Sequence, residues 1–446
     1  MRTKNKSLTY PKITAISFAL LILAGTGLLL LPISSKTGGA SFIDALFTAT
    51  SAACITGLVP FDTFSNWTVF GQIVIISLIQ IGGLGFVTIL SGVVRLLGMK
   101  MSLKQRMMLK ESIGSMTLGD AKNLVRSVVI FTVLCEAAGA AILSLRFVPV
   151  AGMRRGIYMA IFTSISAYCN AGFDLMGQYI PSSSLITVNG DYVIIITLSL
   201  LIVFGGLGFI VWEDMRLRKF RFSHFSVHTK LTLITTGVLL LSGTIMFFFF
   251  EYNHTLANMT LGKKLLNAFF CSVTPRTAGF NSVDIGSMTP LSKMLTTLFM
   301  FIGGSTGSTA GGVKTTTITV IILCVVSEIR GKDQVNVFGR RITLETIKKS
   351  VSIVVINFML IFVACIIIKS VQYGATLIDI IMECTSAIGT VGMSAGITPW
   401  LCPTAKIVII LLMYIGRLTS LILALSFVQT KPKTNAKKPK CNIMVG

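Results

Sequence analysis

Charge is scarce in this sequence: only 12% of its 446 residues are Asp, Glu, Lys or Arg, about half the share of an ordinary soluble domain. With 53% hydrophobic residues beside it, that scarcity excludes a soluble globular chain and places the protein in a bilayer. Acidic residues are rarer still, 16 against 39 Lys and Arg, for a formal charge of +23. In a soluble protein such a balance points to nucleic acid. Here the basic residues cluster between long apolar runs, so no nucleic-acid partner is expected; they read as cytoplasmic loops facing membrane lipid under the positive-inside bias. Histidine is down to His224, His228 and His254. None lies in HExxH and no Cys/His metal spacing occurs, so nothing points to an enzyme. The nine cysteines include no CxxC pair, and Cys135, Cys324 and Cys365 lie inside apolar runs as small apolar fillers.

What is present is apolar length. A helix needs about 20 apolar residues to cross a bilayer, and eight runs qualify, in pairs. They are Ile13 to Ile33 with Val69 to Leu97, Val128 to Val150 with Tyr192 to Trp212, Leu231 to Phe250 with Met294 to Val326, and Val351 to Ile368 with Ile407 to Val428. The first follows a basic start but exceeds a signal-peptide core, so it reads as a retained span. Inside each pair lies a shorter apolar segment: Phe42 to Ala53, Ile157 to Ala167, Leu265 to Val273 and Leu377 to Ala387. At about ten residues these are too short to span, as expected of re-entrant helices.

Charge checks that parity. The basic clusters are Arg2, Lys4, Lys6 and Lys12 at the start, Lys104 to Lys110, Arg216 to Arg221, Arg340 to Lys349, and Lys431 to Lys440. Two spans per pair put all five on one side, with both termini cytoplasmic; three would alternate them. Arg154, Arg155, Lys263 and Lys264 fall outside and weaken the bias without reversing it.

A glycine turn follows each short segment, at Gly57, Gly172, Gly279 and Gly392, spaced 115, 107 and 113 residues apart. Such a period points to internal duplication. The expected fold is an all-α polytopic membrane protein of eight full spans. Four repeats of span, re-entrant pore helix, filter loop and span surround one pseudo-fourfold pore, with boundaries at residues 1–97, 98–213, 214–327 and 328–446. Ser51, Ser166 and Ser386 stand six positions before their glycines, and Val273 stands there in the third repeat. The second spans rhyme as IQIGGLGF and IVFGGLGF.

A cation entering a pore must exchange its water for other oxygens, and a ring of backbone carbonyls from several loops supplies them. Glycine tolerates the backbone angles that aim carbonyls at one axis. The candidate strips are Ile55-Thr56-Gly57, Asn170-Ala171-Gly172, Thr277-Ala278-Gly279 and Thr390-Val391-Gly392. Small residues also mark plain helix packing in membranes, but four loops at matching positions are hard to explain that way.

The segments SAACITGL, SAYCNAGF, VTPRTAGF and SAIGTVGM resemble the four pore loops of the Trk/Ktr/HKT superfamily of potassium transporters, over nearly the whole chain. Length and short basic termini are similar to those of the membrane subunits of bacterial Ktr systems. The resemblance implies potassium uptake across the cytoplasmic membrane through a one-chain pore. It also implies assistance by sodium, a membrane homodimer and a cytoplasmic nucleotide-binding regulatory ring. A separate regulator is expected because no stretch reads as a soluble domain. Carried over by position, Gly57, Gly172, Gly279 and Gly392 are the filter glycines, and Gly57, often Ser in sodium-preferring members, favours potassium. Cys54 and Cys169 depart from the expected Thr, Ser or Asn near the filter, which leaves fine selectivity open.

A second glycine-rich stretch interrupts the sixth run: Gly303, Gly304, Ser305, Thr306, Gly307, Ser308, Thr309, Ala310, Gly311, Gly312, Val313 and Lys314. It cannot be an ordinary helix, and irregular backbone at membrane depth is tolerated where it lines a cavity. As a phosphate loop it fails, because Val313 separates Gly312 from Lys314. The resemblance makes it an intramembrane gate. Arg417, a charge within the last span, is a functional candidate by default; it is expected to position this loop and oppose free cation passage, with a structural bond to carbonyls as the alternative. Glu136 and Arg276 read as braces. Asp44 and Asp379 on the pore helices could draw cations to the outer mouth or simply be solvated. A sodium-preferring member, or a tightly coupled secondary transporter with broken helices, remains the competing reading.

Overall fold

A computed structural model describes residues 10–85, 121–180 and 183–418 of the chain. Leucine, isoleucine, valine and alanine dominate its helices, and backbone groups in an apolar surrounding must bond within their own segment, which favours helix over open strand. Capping side chains fix many of the starts: Ser41 accepts from Asp44 N–H, Thr68 from Gly71, Asp191 from Val193 and Ile194, Ser226 from Thr229, and Thr376 from Asp379. Each satisfies an amide that the helix itself leaves unpaired.

Helix α1 (Tyr10–Leu29) leads to the short α2 (Phe42–Ala53) and then α3 (Val69–Leu84). Next come α4 (Ala121–Ala151), α5 (Met153–Tyr168), α6 (Tyr192–Leu207) and α7 (Phe209–Leu217). Then follow α8 (Val227–Glu251), α9 (Leu261–Val273), α10 (Pro290–Phe301) and α11 (Thr315–Ile329). The last are α12 (Leu344–Val371), α13 (Leu377–Gly389) and α14 (Pro403–Leu418). Among the described residues the only sheet is a hairpin of β1 (Asn336–Val337) and β2 (Arg340–Arg341).

Among the described residues, four helices are long and apolar enough to cross a membrane: Lys12–Leu29, Ser127–Ala151, Val227–Glu251 and Leu344–Val371. They present large apolar side chains outward, including Leu20, Leu134, Leu241 and Phe362, as lipid contact requires. The short helices α2, α5, α9 and α13 sit inside; from Ile380 to its end, all but one residue of α13 is buried.

The second runs of the first two pairs depart from the continuous spans expected of them, and that of the third is interrupted as its glycines led one to expect. Helix α3 stops at Leu84 with Gly85 at φ 79°, and α6 stops at Leu207 with Gly208 at φ 93°. At Gly208 the chain bends by 88° into α7. The shared Gly-Gly-Leu-Gly is the cause: interior glycine costs a helix about 1 kcal/mol, and hydropathy does not register that cost. The sixth run breaks into α10, an irregular stretch and α11. The remainder of the run from Val69 to Leu97, the end of that from Ile407 to Val428, and the basic clusters at the start, at Lys104 to Lys110 and at Lys431 to Lys440 lie outside the described residues, except Lys12.

Two partly buried ion pairs tie two of the short inner helices to their neighbours. Lys406 on α14 meets Asp44 on α2 at 2.7 Å, and Lys293 on α10 meets Asp379 on α13 at 3.1 Å. The two acids expected at the outer mouth are therefore neutralised, and their charge serves helix docking instead.

Candidate ion pathway at the four glycine turns

The four short helices end alike. Ile55, Asn170, Thr277 and Thr390, each two residues before a turn glycine, are left-handed at φ 52°, 58°, 74° and 49°. Gly57, Gly172, Gly279 and Gly392 follow at φ 91°, 71°, 78° and 91°. The residues between them, Thr56, Ala171, Ala278 and Val391, are not left-handed. Left-handed backbone at a non-glycine residue costs about 1–2 kcal/mol. Its recurrence at four matching positions marks a constrained shape, since alternation of hand turns successive carbonyls toward one side of each strip.

The strips close on one another. A Cβ added at Gly57 would lie 2.5 Å from the Ala171 carbonyl oxygen, one at Gly172 2.8 Å from that of Ala278, and one at Gly279 2.5 Å from that of Val391. A Cβ at Gly392 would collide with the Thr56 carbonyl, returning to the first strip. The order 57, 172, 279, 392 and back to 57 is a ring of backbone. All four glycines line one cavity of about 200 Å³. Beneath them the carboxyl ends of α2, α5, α9 and α13 converge, and helix carboxyl ends carry partial negative charge. A cation is the species such a ring suits.

Serine braces part of the ring. The amides of Gly57 and Gly392 donate to Ser51 Oγ and Ser386 Oγ, each at 3.0 Å. In the third strip, where Val273 replaces serine, Thr274 Oγ1 donates to the Phe280 carbonyl at 2.6 Å. Arg276 beside it is buried and donates to Thr236 Oγ1 at 3.2 Å, which makes it a support turned away from the ring. Thr56 Oγ1 and Thr390 Oγ1 are buried without partners.

Acids missed in the sequence reading line the cavity: Asp62, Asp174 and Asp284. They stand five, two and five residues after their turn glycines, so position relative to the turn was the available signal. Burial pushes the Asp174 carboxyl up to about 6, against hydrogen bonds from Met176 N–H and Ser184, with the Asp62 charge adding to the rise.

Residues 303–314 form an irregular loop, and the break at Gly208 receives it. Where α6 ends, the carbonyl of Gly206 accepts from Ser305 N–H at 3.0 Å and that of Gly205 from Thr309 Oγ1 at 3.2 Å. Phe209 N–H donates back to the Gly307 carbonyl at 2.8 Å. Broken backbone at this depth thus finds partners in the loop. Gly303 N–H pairs with the Val313 carbonyl at 2.8 Å, and Lys314 Nζ folds onto the Ala310 and Gly311 carbonyls at 2.6 and 3.4 Å. Gly311 lies against Thr390 Oγ1, and Gly312 against Gly389, so the loop seats on the fourth strip. Ser305 stands in the letters Gly-x-Ser-x-Gly of a hydrolase elbow, but no strand precedes it and its hydroxyl points to the carbonyl of neighbouring Thr306.

Arg417 on α14 donates to the Thr309 carbonyl of this loop and to the Gly82 carbonyl of α3. It therefore bridges the loop to α3 and α14. Glu136, on α4, contacts Gln80 and Cys169.

A family model described as TrkH, cation transport protein, matches residues 7–438. The chain belongs to this family. Its relatives are transporters and not enzymes. This cation transporter is 41% identical over 442 residues to the Ktr system potassium uptake protein B of Bacillus subtilis, covering 98% of this chain and 97% of that one. It is 38% identical to the potassium/sodium uptake protein NtpJ of Enterococcus hirae, covering 99% and 98%. The solved potassium transporter TrkH of Vibrio parahaemolyticus shares its fold, with a TM-score of 0.74 at 18% identity over 96% of this chain and 87% of that one.

Proposed function

We propose that this chain is the channel-like, potassium-translocating subunit of a Ktr-type uptake system in the cell membrane. The observation that carries the reading is the closed backbone ring, in which each turn glycine faces the carbonyl before the next one. A potassium ion on the axis exchanges water for the carbonyls of Ile55, Thr56, Asn170, Ala171, Thr277, Ala278, Thr390 and Val391 and the four glycines. The names of the relatives from Bacillus subtilis and Enterococcus hirae, both potassium uptake proteins, support potassium as cargo.

In this reading the chain crosses the bilayer eight times in four repeats, 1–97, 98–213, 214–327 and 328–446, with both termini cytoplasmic. The loop at 303–314 is the gate and Arg417 its latch: a fixed guanidinium below the ring repels cations until the loop moves. A cytoplasmic nucleotide-binding ring acting on a homodimer moves it. Sodium assists or competes, a reading favoured by the potassium/sodium name of the Enterococcus hirae relative.

Expression in cells stripped of other potassium uptake, with and without a regulatory ring and at varied external sodium, tests this. Growth at limiting potassium is the expected result. Absence of rescue under every condition contradicts this reading, and flux that follows sodium stoichiometrically and ignores the potassium gradient favours a coupled transporter instead.

A further inference from the structure

The second strip lacks the serine brace of the first and fourth. Ser166 holds the position of Ser51 and Ser386, yet its hydroxyl is buried with no partner. A different cluster stands behind this strip, at Cys169, which ends α5 and precedes left-handed Asn170. Glu136 Oε1 accepts from Cys169 Sγ at 3.8 Å, and Glu136 Oε2 accepts from Gln80 Nε2 at 3.1 Å. Gln80 Oε1 lies 3.6 Å from the same sulfur. The Glu136 carbonyl accepts from Ser164 Oγ at 2.7 Å. One turn earlier on α4, Thr132 donates to Tyr168 Oη at 3.3 Å. There is no slack on the far side, because a Cβ at Gly83 would sit 2.7 Å from the Cys169 sulfur.

Glu136 is 8% exposed, and none of the ion pairs among the described residues includes it. A carboxyl at such depth is costly unless it has a task. The cluster also touches the loop: Thr309 Oγ1 reaches the Tyr168 carbonyl at 3.4 Å, and Arg417 holds the Gly82 carbonyl two residues beyond Gln80.

We propose that Glu136 is the positioning residue of the second strip, holding Cys169 through Gln80 so that the Asn170 and Ala171 carbonyls keep their place in the ring. Through Tyr168 and Gly82 the same cluster links that strip to the loop at 303–314. The inference rests on the strip being part of the ion pathway. Its readout is discrimination between ions, since a brace that shifts carbonyls alters how well they fit potassium over sodium.

The test measures potassium and sodium flux through the purified full chain in liposomes, beside its thermal melting. Glu136→Ala lowers the potassium-to-sodium ratio about fivefold, the effect of roughly one lost hydrogen bond. Glu136→Gln recovers most of it, because an amide still accepts from Cys169 or Gln80. A purely structural residue shifts melting and leaves the ratio alone, and that result overturns the proposal. Should Glu136→Ala fail to fold, Gln80→Leu carries the same expectation, and an unchanged ratio there overturns it equally. Gly57→Ser, measured in parallel, separates the two ideas: if it too leaves the ratio unchanged, the filter reading itself fails, whereas an effect there with Glu136→Ala silent removes only the brace.

Discussion

At the scale of single residues, the ring depends on positions where no side chain fits. Gly57 holds φ 91° with the Ala171 carbonyl beside it, so Gly57→Ser both strains the backbone and displaces a neighbouring oxygen. The potassium-to-sodium flux ratio in liposomes is expected to fall about tenfold, roughly 1.4 kcal/mol of differential ion binding. An unchanged ratio contradicts a role for this glycine in selection. Asp174 adds a pH dependence. Its carboxyl moves from 3.8 to about 6 through burial, so it is ionised near neutrality and neutral in mild acid, and the cavity above the glycines then loses one cation-attracting charge. Uptake at limiting potassium is expected to drop as external pH falls through about 6, and Asp174→Asn flattens that drop. The folded state binds the extra proton between 3.8 and about 6, so this group's contribution to stability declines as pH rises across that window. The four turn glycines were legible in the sequence because their spacing repeats. Left-handed Ile55, Asn170, Thr277 and Thr390 were not, since β-branched Ile and Thr ordinarily avoid that conformation and nothing local announces it.

At the scale of elements, length was the informative signal. The short helices begin and end close to the expected residues, because a run of about ten apolar residues cannot be mistaken for a span. The loop at 303–314 was legible from its glycines and serines. The breaks at Gly85 and Gly208 were not, since window-averaged hydropathy passes over a lone Gly-Gly-Leu-Gly, and the loop that supplies partners to the broken end lies about a hundred residues away. The braces are likewise a matter of elements meeting. Ser51→Ala and Ser386→Ala each remove the acceptor of a glycine amide and are expected to weaken potassium selectivity about fivefold. Ser166→Ala removes a hydroxyl that bonds nothing and is expected to cost clearly less; equal losses at all three contradict the asymmetry. Arg417 acts between elements. Arg417→Ala frees the Thr309 and Gly82 carbonyls, and uptake by the chain expressed alone is expected to rise several-fold, by roughly 1 kcal/mol of lost closure. Unchanged uptake contradicts a latch.

At the scale of the molecule, closure of the ring is supported from outside it. Lys406 on α14 grips Asp44 on the first short helix, and Lys293 on α10 grips Asp379 on the fourth, so in each case a helix from a distant part of the chain is pinned to a short inner helix. Asp44→Asn leaves Lys406 partly buried and unpaired, and is expected to lower the stability of the purified protein by about 2 kcal/mol, between the values for surface and buried pairs. Thermal melting in detergent reads this. The sequence shows both partners of each pair but not their meeting, because Asp44 and Lys406 stand at opposite ends of the chain. In the proposed pathway the Thr56, Ala171, Ala278 and Val391 carbonyls together replace an ion's water. Crystals grown in thallium, a potassium mimic with strong anomalous scattering, test it most directly. The expected result is an anomalous peak on the axis enclosed by those four oxygens and the four turn glycines. A peak confined to other sites, with none inside the ring, contradicts it.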